Sequence, residues 1–159
     1  MQDMKPQAAA LTDSPSGFRQ LVGYRVTEWS EGSASIALTI GPRHLNRSGL
    51  VHGGVIATLI DTAGGYAGCF CPHAGRVRRN VTMSMSTQFV APARSGTLTA
   101  RAKLRGGGKR VFVCSIDVVD DQGALIATGE AAYRYRTGSE SPQGVALEPP
   151  KEKRETQLG

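Results

Sequence analysis

NRSGLVHGGVIATLIDTAGG, residues 46–65, is the stretch whose reading decides the fold. From Gly53 its apolar residues recur at helical spacing, and a single carboxylate, Asp61, sits in the middle. Aspartate has low helix propensity, and a carboxylate taken out of water without a partner costs several kcal/mol. Folding alone gives little reason to keep it, so a chemical role is the better explanation. The residues three, four and seven positions from Asp61 share its side of the helix: Gly54, Ala57, Thr58, Gly64, Gly65 and Gly68, all small. Ile56, Leu59, Ile60, Ala63 and Ala67 supply the greasier faces. The pattern predicts a helix buried nearly all round, with a slot beside Asp61 that another group can enter closely.

Working outward, Ser14-Pro15-Ser16-Gly17-Phe18 signals the cap of a short helix reaching about Leu21. Two strands follow, Tyr24–Trp29 and Ala34–Ile40, joined by the turn Ser30-Glu31-Gly32. Past the long helix the period changes from 3.6 to 2: Met83, Met85, Thr87 and Phe89 alternate with Thr82, Ser84, Ser86 and Gln88. Leu98, Ala100, Ala102 and Leu104 oppose Arg101, Lys103 and Arg105 in the next strand. Val111–Val119 and Leu125–Arg136 then flank Asp120-Asp121-Gln122-Gly123, a hairpin signal. Two strands, one long helix and four strands read as an α+β fold with an antiparallel sheet. One helix covers only part of one sheet face, which argues for pairing of two copies. Residues 1–13 read as a flexible lead-in, 14–136 as the folded unit, and the Pro- and charge-rich 137–159 as a disordered tail.

No apolar run approaches the ~20 residues that span a bilayer, and the N-terminus lacks the apolar core of a secretory signal, so a cytoplasmic protein off the membrane is expected. Cys69, Cys71 and Cys114 are an odd set without zinc spacing, and read as buried or half-buried thiols. The net charge of +6 suggests an anionic partner. Arg76, Arg78 and Arg79 form one basic segment, and Arg101, Lys103, Arg105, Lys109 and Arg110 another. They read either as solvated sheet edges or as contacts for a phosphate-bearing ligand. Nucleic acid ranks behind both, because aromatic residues make up only 6% of the chain and no strand pairs them for base stacking.

The element order, together with Asn46…Gly49-x-x-His52-Gly53-Gly54…Asp61, resembles the hotdog-fold acyl-CoA thioesterases, within them the phenylacetate-degradation, 4-hydroxybenzoyl-CoA thioesterase-like type. The resemblance covers about residues 20–136. It implies an antiparallel sheet wrapped around a long central helix, edge-to-edge homodimers that often pair again into homotetramers, and active sites shared between protomers. It places the catalytic carboxylate on Asp61, the backbone donor on Gly53, the adjacent histidine on His52 and the loop asparagine on Asn46. A hydroxyl residue early in the third strand, supplied by the partner protomer, falls on Thr82, with Ser84 as the competing choice. Coenzyme A is part of the substrate, so no cofactor and no metal are implied; Arg94, Lys109 and Arg110 are the candidates for its phosphates.

The residue types suit this chemistry on their own account. A thioester carbonyl needs polarising, and the first amides of a helix lack intrahelical acceptors and sit at its positive end. Gly53 and Gly54 let a substrate approach them, Asp61 supplies a base or nucleophile, and Asn46 positions a water or fixes the loop. His52 reads as a capping residue or an acid–base group. Ile56, Leu59 and Tyr66 are candidate walls of the acyl pocket. Two other functions share these residues: an enoyl-thioester hydratase or dehydratase using His52 and Asp61, and a non-catalytic acyl-CoA-binding module.

Overall fold

The computed structural model describes residues 16–147. Residues 1–15 and 148–159 lie outside it, and with them the lead-in 1–13, the start of the expected helix cap and the end of the expected tail. Ser16 accepts the Arg19 N–H (3.2 Å) and starts helix α1, Gly17–Val22, which Gly23 ends at φ 85°. Strands β1, Arg25–Ser30, and β2, Ser33–Thr39, form a hairpin. A 3-10 turn at Pro42–His44 leads to the long helix α2, Gly53–Gly68. Then come β3, Arg76–Val77; β4, Asn80–Phe89; β5, Thr97–Gly107; β6, Val111–Val119; β7, Leu125–Tyr135; and β8, Val145–Ala146.

The large sheet has the order β1-β2-β5-β6-β7-β4, antiparallel throughout. β4 leaves the helix and returns to the far edge, beside the last long strand. α2 lies chiefly across β2, β5 and β6. Its face Ile56, Leu59, Ile60, Ala63 and Ala67 is buried against Ile36, Leu38, Leu98, Ala100, Ile116 and Phe112, so the apolar alternation of the strands and the stripe of the helix meet in one core.

The helix is not buried all round. Asp61, Thr62 and Gly65 are only half-buried and Gly54 is exposed. Gly64 and Gly68 do not belong to the slot beside Asp61. They face the sheet, where a Cβ on Gly64 would run into the Tyr133 phenol and one on Gly68 into the Phe112 ring. The aromatic rings of β6 and β7 use these glycines to reach the helix backbone, and Tyr133 Oη donates to Asp61 O (2.9 Å) and Tyr135 Oη to Gly68 O (2.8 Å). Gly68→Ala should therefore lower stability by about 1–3 kcal/mol through overpacking, although alanine is the better helix former. A denaturant melt of the purified variant checks this.

The tail reading is corrected for residues 137–147. β8 pairs with β3, Arg76↔Ala146 and Val77↔Val145. Ser139 is fully buried and accepts the Arg79 N–H (3.0 Å). Arg76 donates to Gln143 O (2.6 Å) and Gly144 O (2.7 Å), and Arg78 to Ser139 O (3.0 Å) and Glu140 O (3.3 Å). The segment has no hydrophobic periodicity because its carbonyls, held by arginines from elsewhere, do the packing.

Candidate active site

At the start of α2, His52 is the N-cap, and its Nδ1 accepts the Gly54 N–H (2.9 Å). His52 O accepts from Val55 N (2.9 Å) and Ile56 N (3.4 Å). Among the first four helix amides only Gly53 N–H has no acceptor among the described residues. It is the donor left at the positive helix end. With Nδ1 engaged as an acceptor, the ring proton is assigned to Nε2, so His52 orients the helix entry. Asn46 Oδ1 accepts from Ser48 N (2.9 Å) and Leu50 N (3.1 Å), which makes it the brace of the preceding loop. Asn46, Gly53, Ile56, Phe89 and Val90 line a hollow of about 360 Å³.

In the middle of α2, Asp61 Oδ1 accepts from Thr82 Oγ1 at 2.7 Å. This corrects the expectation that Thr82 meets Asp61 only from the partner protomer. The start of β4 runs along the helix of its own chain, so the two residues face each other without any second copy. Ser84 lies past a bulge between Thr82 and Ser84, in a separate hollow with Val113 and Glu130. Thr82 is the hydroxyl that belongs to Asp61.

The contact continues as a ladder. Asp61, Gly65 and Cys69 are successive fourth residues on the helix; Thr82, Asn80 and Arg78 are successive second residues on the facing chain. Four residues of helix rise ~6 Å and two residues of extended chain ~6.6 Å, so the rungs stay in step. Asn80 Nδ2 donates to Gly65 O (3.0 Å) and lies 3.0 Å from Cys69 Sγ. Along this ladder runs a groove of about 380 Å³, a size suited to a small ligand. Trp29, Tyr66, Val77 and Val81 supply its apolar walls. Trp29 Nε1–H donates to Tyr66 O (2.8 Å), and its ring meets those of Tyr66 and Phe70 edge to face.

Trp29 and Asn80 were not among the residues expected at the site, and Arg78 was expected only as part of a basic segment at a sheet edge or against a phosphate, although the two-residue period from Thr82 back through Asn80 to Arg78 was a usable signal. Of the expected pocket walls, Tyr66 lines this groove, Ile56 lines the helix-start hollow, and Leu59 is wholly buried in the core. The basic candidates are dispersed. Arg94 Nη1 donates to Ser48 O (3.3 Å) and Gly49 O (3.4 Å), near the helix start. Lys109 and Arg110 border another hollow with Gly138 and Glu140, at the β5–β6 turn.

Cys69, Cys71 and Cys114 are buried thiols. Burial pushes Cys69 up, against the opposing Asn80 hydrogen bond and Arg78 charge, and burial together with Cys69 raises Cys114 to about 12. His44 is buried, with Nε2 2.7 Å from Val22 O and Nδ1 accepting the Gly41 N–H (2.8 Å), a structural role. Among the described residues no three His, Cys, Asp or Glu side chains are grouped to hold a metal.

A carboxylate with a fixed hydroxyl donor, in an apolar-walled groove, and a free helix-start amide are parts for acyl transfer. Comparison with known proteins agrees. The family model for the thioesterase superfamily matches residues 48–127. The acyl-coenzyme A thioesterase PaaI of Escherichia coli is 33% identical over 107 residues, covering 67% of this chain and 73% of that protein. The solved structure of the E. coli PaaI protein from the phenylacetic acid degradation operon superposes with a TM-score of 0.71 at 27% identity, over 84% of this chain and 93% of that one. A thioesterase from Haemophilus influenzae shares the fold, with a TM-score of 0.70 at 20% identity over 95% and 96% of the two chains. The sheet and central helix are thus a hotdog fold, and the chain belongs to the thioesterase superfamily as a thioester hydrolase.

Proposed function

We propose that the substrate is an acyl-CoA thioester, cleaved to free CoA and a carboxylic acid, with Asp61 as base or nucleophile. The observation that carries this reading is the Thr82–Asp61 bond of 2.7 Å at the mouth of an apolar groove. The hydroxyl donates to Oδ1 and holds the carboxylate's rotamer, leaving Oδ2 for the acyl carbon or for the water that attacks it. Water adds to the carbonyl carbon, the C–S bond breaks, and the thiolate takes up the proton. The negative charge on the carbonyl oxygen needs a donor, and the unengaged Gly53 N–H is the best placed in chemistry. The name of the E. coli relative supports the CoA thioester.

Gly53 and Asp61 of one chain do not serve one carbonyl. Eight residues of helix separate them by ~12 Å, and they open into different hollows. The reading therefore joins the Asp61–Thr82 half of one protomer to the Gly53, His52 and Asn46 half of another. β4 is the natural joint. Among the described residues it is an edge strand paired only with β7, with Val81, Met83, Met85 and Phe89 exposed, and a long apolar edge of this kind calls for a cover. A homodimer through β4 supplies it. The homotetramer expected from the family resemblance is checked by sedimentation. No helix among the described residues is long and apolar enough to cross a membrane; a cytoplasmic location accords with a CoA substrate.

The test is release of free thiol from a panel of alkyl- and aryl-CoA thioesters. Thiol release is expected; absorbance change on an enoyl-CoA without thiol would instead mean hydratase chemistry, and tight binding with neither would mean a binding module. Arg94, beside the helix start, is the strongest of the three phosphate candidates. Arg94→Ala should raise KM about tenfold for CoA thioesters and much less for the matching N-acetylcysteamine thioesters. Equal effects on both would assign Arg94 to bracing the Ser48–Gly49 loop.

A further inference from the structure

Resting on the acyl-CoA reading, we infer that the groove takes acyl groups that end in a carboxylate, and that Arg78 receives that carboxylate. The groove begins at Asp61 and Thr82 and ends at Cys69 and Arg78. Its walls between are apolar, with Asn80 the polar group midway. Arg78 is half-buried, and its guanidinium carbon stands 4.2 Å from the centre of the Tyr135 ring, which fixes its plane. Nε and Nη2 donate to the carbonyls of Ser139 and Glu140. The guanidinium also lies within reach of the Tyr135 side chain, but no carboxylate among the described residues pairs with the cation.

The nearby acids are occupied or apart. Glu140 accepts the Gly138 N–H (2.7 Å) through its own carboxylate. Glu31 lines with Arg78 a separate cavity of about 210 Å³, without an ion pair among the described residues. Nor is Arg78 needed alone to hold the 138–144 segment, which Arg76 clamps through two shorter bonds and Arg79 N–H through Ser139. A fixed, partly desolvated guanidinium without a carboxylate partner among the described residues, at the end of an apolar groove, is a carboxylate receptor. The distance sets the length of the ligand. From Asp61 to Cys69 is ~12 Å along the helix, which an acyl chain of about eight carbons covers with one hydrogen bond at its end.

Suberyl-CoA and octanoyl-CoA have the same chain length and differ in the terminal carboxylate, so they isolate its effect. Wild-type kcat/KM for suberyl-CoA is expected to equal or exceed that for octanoyl-CoA. In Arg78→Met the suberyl-to-octanoyl ratio should fall at least tenfold, through KM, and Arg78→Lys should recover part of it. A wild-type preference for octanoyl-CoA above tenfold, or an equal loss on both thioesters in Arg78→Met, would overturn the assignment; the second result would leave Arg78 as a clamp or a contact for the nucleotide. If Arg78→Met does not fold, the wild-type protein still decides: the monomethyl ester of suberate, with one carboxylate for Arg78 and a neutral carbonyl for the Asp61 end, should protect it against thermal unfolding at lower concentration than methyl octanoate, and the reverse order sinks the idea. Preferential protection by the monomethyl ester of suberate with no cleavage of either thioester would support the carboxylate site while refuting the acyl-CoA reading.

Discussion

Asp61→Asn is expected to keep its fold and to retain no more than about one hundredth of the wild-type kcat, the usual size of the loss of a positioned base. The substitution is almost isosteric. An asparagine carbonyl can still accept from Thr82 Oγ1, so the contact between helix and β4 survives. What disappears is the negative charge and the second basic oxygen facing the groove. KM should change much less than kcat, because the apolar walls and the groove's far end are untouched. Circular dichroism and a melt establish folding, and thiol release gives the rate. Near-normal turnover by the folded variant would remove Asp61 from the chemistry.

Equal amounts of Asp61→Asn and Gly53→Val, each inactive alone, should recover about a quarter of wild-type activity after subunit exchange. The value follows from composite sites in a two-fold dimer. Half of the randomly formed dimers are mixed, and each mixed dimer holds one intact site of two. Gly53→Val acts at the other half-site, where a Cβ would lie 3.2 Å from the Phe89 ring and a branched side chain would crowd the free amide. Should one chain supply both Gly53 and Asp61 to a site, mixing restores nothing. A fully active monomer by sedimentation would also refute the composite site.

The order of elements was readable from the sequence because two periods, 3.6 on Val55–Ala67 and 2 on Thr82–Phe89, report burial directly. The same logic failed where burial and spacing part company. Gly64 and Gly68 fall on Asp61's side by counting alone, yet Tyr133 and Phe112 from the sheet claim them. Leu59 looks like a pocket wall and is core. Thr82 as a residue was legible, but not which chain's carboxylate it meets, because that depends on where β4 returns in the sheet. Residues 137–147 carried no hydrophobic pattern, since their place is fixed by carbonyls and by the buried Ser139 hydroxyl rather than by apolar side chains. Arg78 was visible only as one of a run of arginines; its place at the end of the groove follows from the ladder with the helix.

The return of β4 to the edge beside β7 has a consequence for the time course of folding. β7 is the last strand of the large sheet, and Thr82 finds its pairing partner, Tyr133, only when that strand is in place. Until then a growing or refolding chain holds the helix and β4 by side-chain bonds alone, Thr82 to Asp61 and Asn80 to Gly65, with no sheet pairing for β4. Long-range closure of this kind is slow, because chain entropy is lost before the contact is gained. Tyr133 also ties the backbone of Asp61, so the carboxylate and its hydroxyl partner are aligned in the same closing event. On refolding, turnover should return with the slowest phase, after helical signal has recovered, and its lag measures the closing of the sheet.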